Sequence, residues 1–272
     1  MWDIHHDLQH TSPAFPENPA IYRWQLYKSL EGNDLIMKKT IGIIGGMGPL
    51  ATSDLFRKII ELTPASCDQD HIHVCIDCNT SIPDRTRAIL SGGEDPVPQL
   101  VRSGLRLQGM GADLLVMPCN TAHYFYDRLL PFFDVPLLHM LRETAQELRR
   151  QGVVRAGILA TDGTLQTGLY HRFLAEEGIE AIVPEGPFQA AVMEVIYDGV
   201  KAGKRKMDLA SFRRTAESLF QKGAQTLVLG CTELPVAFDW YSLAYPHIDP
   251  TAVLAQAAVQ HASAAVAGKT TA

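Results

Sequence analysis

The chain alternates between short apolar runs and longer amphipathic segments. The apolar runs predict β-strands over residues 40–44, 71–76, 114–117, 156–160, 181–183 and 226–229. The amphipathic segments predict helices over residues 50–62, 99–108, 141–150, 169–177, 188–200, 209–222 and 251–266. Strands that alternate with helices form parallel sheets covered by helices, so the pattern predicts an α/β fold.

Two segments resemble each other closely. Residues 111–121 and 223–233 both run from a Gly-Ala pair through an apolar stretch to a cysteine, Cys119 or Cys231, followed by small polar residues. Residues 40–45 resemble 155–160 in the same way, at a separation of 115 positions (Gly42 to Gly157) against 112 for the two cysteines. The near-equal separations predict two similar α/β halves that arose by duplication.

Composition excludes several classes of protein. The 272 residues are 46% hydrophobic and 20% charged, as in globular proteins, and the net charge of −6 argues against binding of nucleic acid or acidic membranes. No apolar run reaches the roughly 18–20 residues of a membrane span, and residues 1–20 lack a signal-peptide pattern. The five cysteines are an odd number in a long chain, so we expect free thiols and a cytoplasmic location.

The two repeated cysteines are the strongest candidates for chemistry. Each ends a predicted buried strand, at the sheet edge where α/β folds bind ligands. Buried structural thiols are the alternative, but the following residues are polar and could begin a helix whose N-terminus lowers a thiol pKa. A thiol on each side of a substrate suits a reaction that removes a proton from one face and returns it to the other.

The other motifs are weaker. Residues 46–51 match G-x-G-x-x-A, but Pro49 removes a backbone donor and no clear acidic residue follows at the usual distance. We therefore expect no dinucleotide cofactor, and a carboxylate held by backbone N–H groups instead. His71, His73 and Cys75 lie one strand pitch apart, too far to converge on an ion, so we expect no metal.

Two cations could recognise an anionic substrate. Arg85 lies in a polar segment after the second strand and could bind a carboxylate bidentately, or it could pair with Asp84 in a surface loop. Tyr197 and Lys201 are four residues apart and share a helix face, where Lys201 could equally be solvated.

Five motifs together resemble one family. The chain is similar to the cofactor-independent aspartate/glutamate racemases, with most likeness to the aspartate racemase branch, over about residues 38–268. The motifs that carry the resemblance are GGMGPLAT (45–52), IPDRT (82–86), MPCNTAH (117–123), IYDGVKAG (196–203) and GCTE (230–233).

The resemblance implies the architecture. It implies two similar α/β/α domains with four-stranded parallel sheets, related by a pseudo-twofold axis, with the active site in the cleft between them. Residues 38–137 would form the first domain and 138–244 the second, with a C-terminal helix within 245–268 that returns to the first. Residues 1–37 would be an N-terminal extension, and Met37 is an alternative start.

The resemblance also implies an aspartate racemase that needs no pyridoxal phosphate, with glutamate as a further substrate. The two bases would be Cys119 and Cys231. Arg85 would hold the side-chain carboxylate, assisted by Lys201. The remaining pocket residues would be Met47, Asn79, Asn120, Thr121, Thr161 and Thr232.

Alternative functions stay open at this point. A maleate cis-trans isomerase or a hydantoin racemase would share the two thiols, although hydantoin offers no dicarboxylate for the cations. A cysteine amidohydrolase would need His123 beside Cys119, and a non-catalytic amino-acid sensor would bind without turnover. We expect a small dicarboxylic amino acid as the substrate and a homodimer as the assembly.

Overall fold

The computed structural model describes residues 38–264, which form one compact unit. The expected N-terminal extension and residues 265–268 of the expected last helix lie outside the described residues. Among the described residues, none of the helices is both long and apolar enough to cross a membrane.

The first half of this unit contains a three-stranded parallel sheet. Its strands lie in the order β2-β1-β3. The elements of this half are β1 (Ile41–Gly45), α1 (Pro49–Leu62), β2 (Val74–Cys78), α2 (Arg85–Leu90), α3 (Val97–Gly109), β3 (Leu114–Val116), α4 (Tyr126–Leu129) and 3₁₀ turns at Asp68–Asp70, Thr121–Phe125 and Leu130–Phe132. Proline at the first position starts α1, where its missing N–H costs nothing.

The second half repeats this order with four parallel strands, β5-β4-β6-β7. Its elements are α5 (Met140–Arg150), β4 (Arg155–Ala160), α6 (Asp162–Gln166), α7 (Leu169–Glu176), β5 (Glu180–Ile182), α8 (Pro187–Glu194), a π-helix (Val195–Lys201), α9 (Ala210–Gln221), β6 (Thr226–Gly230), α10 (Glu233–Trp240), β7 (His247–Ile248) and α11 (Pro250–Ser263).

The two sheets have corresponding backbone hydrogen bonds at their outer edges. The Leu115 N–H donates to the Pro136 carbonyl at 2.8 Å, and the Leu227 N–H donates to the Pro246 carbonyl at 3.0 Å. A single parallel bridge from Leu115 to Leu137 therefore stands where β7 stands in the second half. The expected fourth strand of the first sheet is reduced to this bridge.

The helix that follows each sheet packs on elements of the other half. α5 follows the first sheet but packs on α7, whereas α11 follows the second sheet but packs on α1 and α5. The Asp249 side chain caps α11 by accepting from the Thr251 N–H at 2.8 Å, which fixes where the helix begins. One continuous apolar core runs from β1 through α11 to β4 and joins the halves.

Sequence periodicity missed five short elements of the described residues, α4 and α6 among them. α2, α10 and β7 lie in segments whose polar residues or length gave no clear period, and β2 begins at Val74 rather than at residue 71. The helix expected over 188–200 is α8 continued by the π-helix, in which Gly199 lies against the Met207 sulfur.

Candidate active site

A cavity lies where the carboxyl ends of β1, β3, β4 and β6 face each other, the position at which parallel sheets bind ligands. Cys119 follows β3 by three residues, and Cys231 follows β6 directly. Both thiols are nearly buried, with 6% and 7% of each residue exposed. The cavity is lined by Met47, Asp84, Arg85, Thr86, Cys119, Asn120, Thr121, Thr161, Tyr197, Lys201, Cys231, Thr232 and Glu233.

Cys231 belongs to a buried, charged group. Its thiol donates to Glu233 Oε2 at 2.9 Å, and Lys201 Nζ lies 2.8 Å from Glu233 Oε1. Burial and the neighbouring carboxylate raise the pKa of the Cys231 thiol well above its usual value. The expectation that a helix N-terminus lowers this thiol pKa is therefore wrong, because burial and Glu233, at the start of α10, outweigh the helix.

Lys201 is the last residue of the π-helix and reaches this group from there. Burial lowers the pKa of its ammonium, but the neighbouring Glu233 carboxylate outweighs burial and the net shift is upward. The ammonium also lies 5.6 Å from the centre of the Tyr197 ring. Tyr197 and Lys201 therefore share one face, as their spacing indicated, and both line the cavity.

Arg85 begins α2 and is buried rather than solvated. Its Nη1 donates to the Pro83 carbonyl at 2.9 Å and its Nη2 to the Met47 carbonyl at 3.3 Å. Burial lowers the pKa of this guanidinium, but Cys119, Asp84 and Glu233 raise it more. Arg85 Nε is buried and has no partner within residues 38–264, which leaves one charged donor for a ligand.

Three threonine hydroxyls join the two halves. Thr121 lies 3.0 Å from Thr161 and 2.8 Å from Thr164, and Thr161 lies 3.1 Å from Thr164, measured between the hydroxyl oxygens. Thr161 also caps α6 by accepting from the Thr164 N–H. Because all three groups are buried, this triangle fixes the distance between the loop after β3 and the start of α6.

Asn120 is oriented by a residue of the other half. The Tyr170 hydroxyl donates to Asn120 Oδ1 at 2.6 Å, and both side chains are buried. Burial raises the pKa of Tyr170 well above its usual value, so this hydroxyl stays protonated and donates. The Asn120 Nδ2 group is buried and finds no partner among the described residues, so it is available to a ligand in the cavity.

His123 forms hydrogen bonds with the backbone rather than with the Cys119 thiol. Its Nε2 accepts from the Met140 N–H at 3.1 Å, so its Nδ1 carries the proton and donates to the Cys119 carbonyl at 2.9 Å. Burial lowers its pKa to about 4. Because both ring nitrogens are occupied, His123 is not placed to activate a thiol, and the arrangement gives no support to an amidohydrolase.

Of the ten residues suggested by the sequence, the structure brings nine together at the cavity; Asn79 is the exception. Its side-chain amide donates to Ser103 Oγ at 3.2 Å and accepts from the Ser81 N–H at 3.0 Å. Sequence reasoning missed Glu233 as a site residue, although it ends the repeated cysteine motif. It also missed Tyr170, for which the sequence carries no signal.

No group of three or more metal-ligating side chains is gathered anywhere in residues 38–264. The cysteines other than Cys119 and Cys231, namely Cys67, Cys75 and Cys78, are also free thiols. They lie outside the residues that line the cavity.

Comparison with known proteins identifies the class. The Asp/Glu/Hydantoin racemase family matches residues 44–258, so the chain belongs to this family. A broad specificity amino-acid racemase from Bacillus subtilis, RacX, is 30% identical over 224 residues, which are 80% of this chain and 96% of the relative.

Solved structures agree with this assignment. An aspartate racemase from Picrophilus torridus superimposes with a TM-score of 0.74 and 32% identity, covering 82% of this chain and 94% of the other. An aspartate racemase homologue from Pyrococcus horikoshii superimposes with a TM-score of 0.67 and 25% identity, covering 84% and 100%. The predicted α/β fold with parallel sheets in two similar halves is confirmed.

Proposed function

We propose that this racemase interconverts L- and D-aspartate without pyridoxal phosphate, by two-base chemistry at Cys119 and Cys231. The observation that carries the proposal is that the two thiols follow equivalent strands and line one cavity. A thiolate on one side removes the Cα proton, and the thiol opposite donates its proton to the other face. The C–H bond that breaks is replaced by one of opposite configuration, so no net proton is gained or lost.

The carbanion that forms between these steps needs preorganised donors. Two buried donors without a partner among the described residues are available for this role, namely Arg85 Nε and Asn120 Nδ2. We assign them to the carboxylates of the substrate. The threonine triangle keeps them in register by holding the two halves together, since small misplacements cost on the order of 100-fold in rate.

A broader range of amino acids is the second candidate. Glu233 neutralises Lys201, which leaves Arg85 as the cation for a side-chain carboxylate. A larger cavity of about 510 Å³ adjoins the first and shares Met47 and four charged side chains with it, namely Asp84, Arg85, Lys201 and Glu233. Its other walls carry apolar side chains such as Leu50, Ile82 and Val200. Longer uncharged side chains would fit there, and the similarity to RacX agrees with this reading.

The test is proton NMR of L-aspartate, and separately D-aspartate, in deuterated water with reductant and no added cofactor. Loss of the Cα signal, together with growth of the opposite enantiomer measured by chiral chromatography of the same samples, would support aspartate racemisation. Glutamate, methionine and leucine measured in parallel would distinguish the narrow from the broad range. Exchange with none of these amino acids would refute the proposal and favour the alternatives, maleate cis-trans isomerase or hydantoin racemase, which maleate and a substituted hydantoin would test.

Cys119→Ala and Cys231→Ala should each abolish interconversion in both directions, because each removes one of the two bases. Cys78→Ala is the control, since this exposed thiol lies outside the cavity and should leave the rate unchanged. Near-full racemisation in either active-site variant would contradict the two-base mechanism.

We also propose that the domain boundary falls between residues 137 and 138, where the chain leaves the first sheet for α5. Packing of α11 on α1 supports a helix that returns to the first domain. A homodimer and a cytoplasmic location stay predictions of the sequence.

A further inference from the structure

We propose that Glu233 is a positioning residue that keeps Cys231 as the protonated thiol, so that Cys119 carries the thiolate in the resting enzyme. The inference deepens the proposed racemase function and rests on it. It assigns the two thiols different starting roles, although they follow equivalent strands of the two halves.

The contact between Cys231 and Glu233 holds a single proton. An ionised carboxylate can only accept, so the proton in the 2.9 Å contact between Cys231 Sγ and Glu233 Oε2 belongs to the sulfur. The alternative, a thiolate beside a carboxylic acid, would place the proton on the group that is ordinarily the stronger acid by about four pKa units. Lys201, 2.8 Å from the other oxygen, further favours the ionised carboxylate.

The charges that face each sulfur differ. Cys231 faces the carboxylate of Glu233 from its own segment, Lys201 and Tyr197 from the π-helix, and Tyr170 from α7. Lys201 opposes the Glu233 carboxylate at Cys231, but burial and the carboxylate together outweigh it. Cys119 instead lies beside the guanidinium of Arg85, and Lys201 acts on it as well. Negative charge is therefore better accommodated at Cys119 than at Cys231.

The assignment has a consequence for turnover. In the first step the Cys119 thiolate forms an S–H bond with the Cα proton, and the Cys231 S–H bond breaks as its proton passes to the opposite face of Cα. The product complex then holds a thiol at Cys119 and a thiolate at Cys231 beside the Glu233 carboxylate. The two forms of the enzyme are therefore unequal in energy, and Glu233 sets the difference.

Pulsed alkylation tests the proposal without requiring turnover. The full-length reduced protein would be treated briefly with iodoacetamide from pH 6 to pH 10, and labelling at Cys119 and Cys231 would be quantified by peptide mass spectrometry. Because the two residues are 6% and 7% exposed, access is similar and the rates report ionisation. We expect Cys119 to react at least tenfold faster than Cys231 at pH 7.

Glu233→Gln should raise the labelling rate of Cys231 at pH 8 about tenfold or more and leave Cys119 within twofold, because Lys201 would then act on the sulfur alone. Asp239→Asn is the matched control, an exposed carboxylate on the same helix α10, and should change neither rate. If Glu233→Gln fails to fold, the wild-type difference between the two cysteines still tests the proposal.

Two results would overturn the proposal: Cys231 labelled as fast as Cys119 in the wild type, or labelling of Cys231 unchanged in folded Glu233→Gln. The racemase assignment fails separately, through the NMR assay. If Cys119 is labelled faster than Cys231 but the protein has no racemase activity, the assignment of the proton to Cys231 holds and only its role in catalysis is refuted.

Discussion

Tyr170→Phe removes one oxygen atom and tests how the second half of the chain orients a group beside Cys119. The Tyr170 hydroxyl is the partner of Asn120 Oδ1 at 2.6 Å. Its ring is fixed by close packing, since a Cβ added at Gly230 would meet Tyr170 Cε2 at 2.8 Å. The phenylalanine ring should therefore keep the same position, and only the hydrogen bond should be lost.

The expected cost follows from burial. Tyr170 and Asn120 are 1% and 2% exposed, so water cannot replace the lost partner. A buried acceptor left unpaired costs about 1–3 kcal/mol, and we expect this loss in the free energy of unfolding. The Asn120 amide also loses the contact that turns its Nδ2 towards the cavity. A lost hydrogen bond to a charged group corresponds to roughly a tenfold rise in KM, with a smaller change in kcat.

Urea unfolding and steady-state racemisation would measure both effects on the same preparations. Tyr124→Phe is the control, because Tyr124 is 50% exposed and its loss of hydroxyl should change stability by less than about 0.5 kcal/mol. If Tyr170→Phe is as stable as Tyr124→Phe, the hydrogen bond of the Tyr170 hydroxyl does not contribute to stability and the reasoning from burial is wrong. Unchanged KM with reduced stability would refute the orienting role alone.

Two further predictions concern stability. Gly46→Ala should lower the free energy of unfolding by about 2 kcal/mol more than Gly111→Ala. Both glycines have positive φ (94° and 90°), but only at Gly46 would the new Cβ meet backbone, 2.3 Å from the Asn79 carbonyl. Thermal melting of the two variants checks this, and equal losses of stability would contradict it. Burial lowers the pKa of His123 from 6.5 to about 4 and that of His139 from 6.5 to about 2, so both groups stabilise the fold fully above pH 6.5 and lose this contribution as the pH falls. The His123 share of the loss between pH 6.5 and 4 is up to about 3 kcal/mol. Urea midpoints between pH 7 and 4 should show the loss, and His123→Asn should reduce it by that share while the His139 share remains.

Much of the fold was readable from periodicity and repetition. Buried parallel strands are continuous apolar runs, so β1, β3, β4 and β6 were found at nearly the right residues. The repeated Gly-Ala to cysteine segments gave the two halves their equivalence, and the strand order of the two sheets confirms it. The elements that were missed are short, so their boundaries depend on what packs against them rather than on a period of their own.

The two cysteines were found for a local reason, because a buried strand followed by a thiol and small polar residues is visible in the sequence. Their electrostatic difference is not local. The pairing of Lys201 with Glu233 joins the π-helix to the start of α10, and Arg85 reaches Cys119 from α2. A pKa depends on burial and on charges brought close in space, and spacing along the chain contains neither.

The sequence by itself determined the α/β class, the repetition of one α/β unit, and two equivalent thiols at strand ends. Only the tertiary structure decided that Cys231 shares its proton contact with Glu233, that Asn79 turns to Ser103 instead of the cavity, and that Tyr170 orients Asn120 from the other half. The physical reason is the distance along the chain over which each effect acts. Backbone periodicity and turn chemistry act over a few residues. Desolvation, ion pairing and buried hydrogen bonds depend on packing between distant segments, such as Asn120 and Tyr170, which are 50 residues apart.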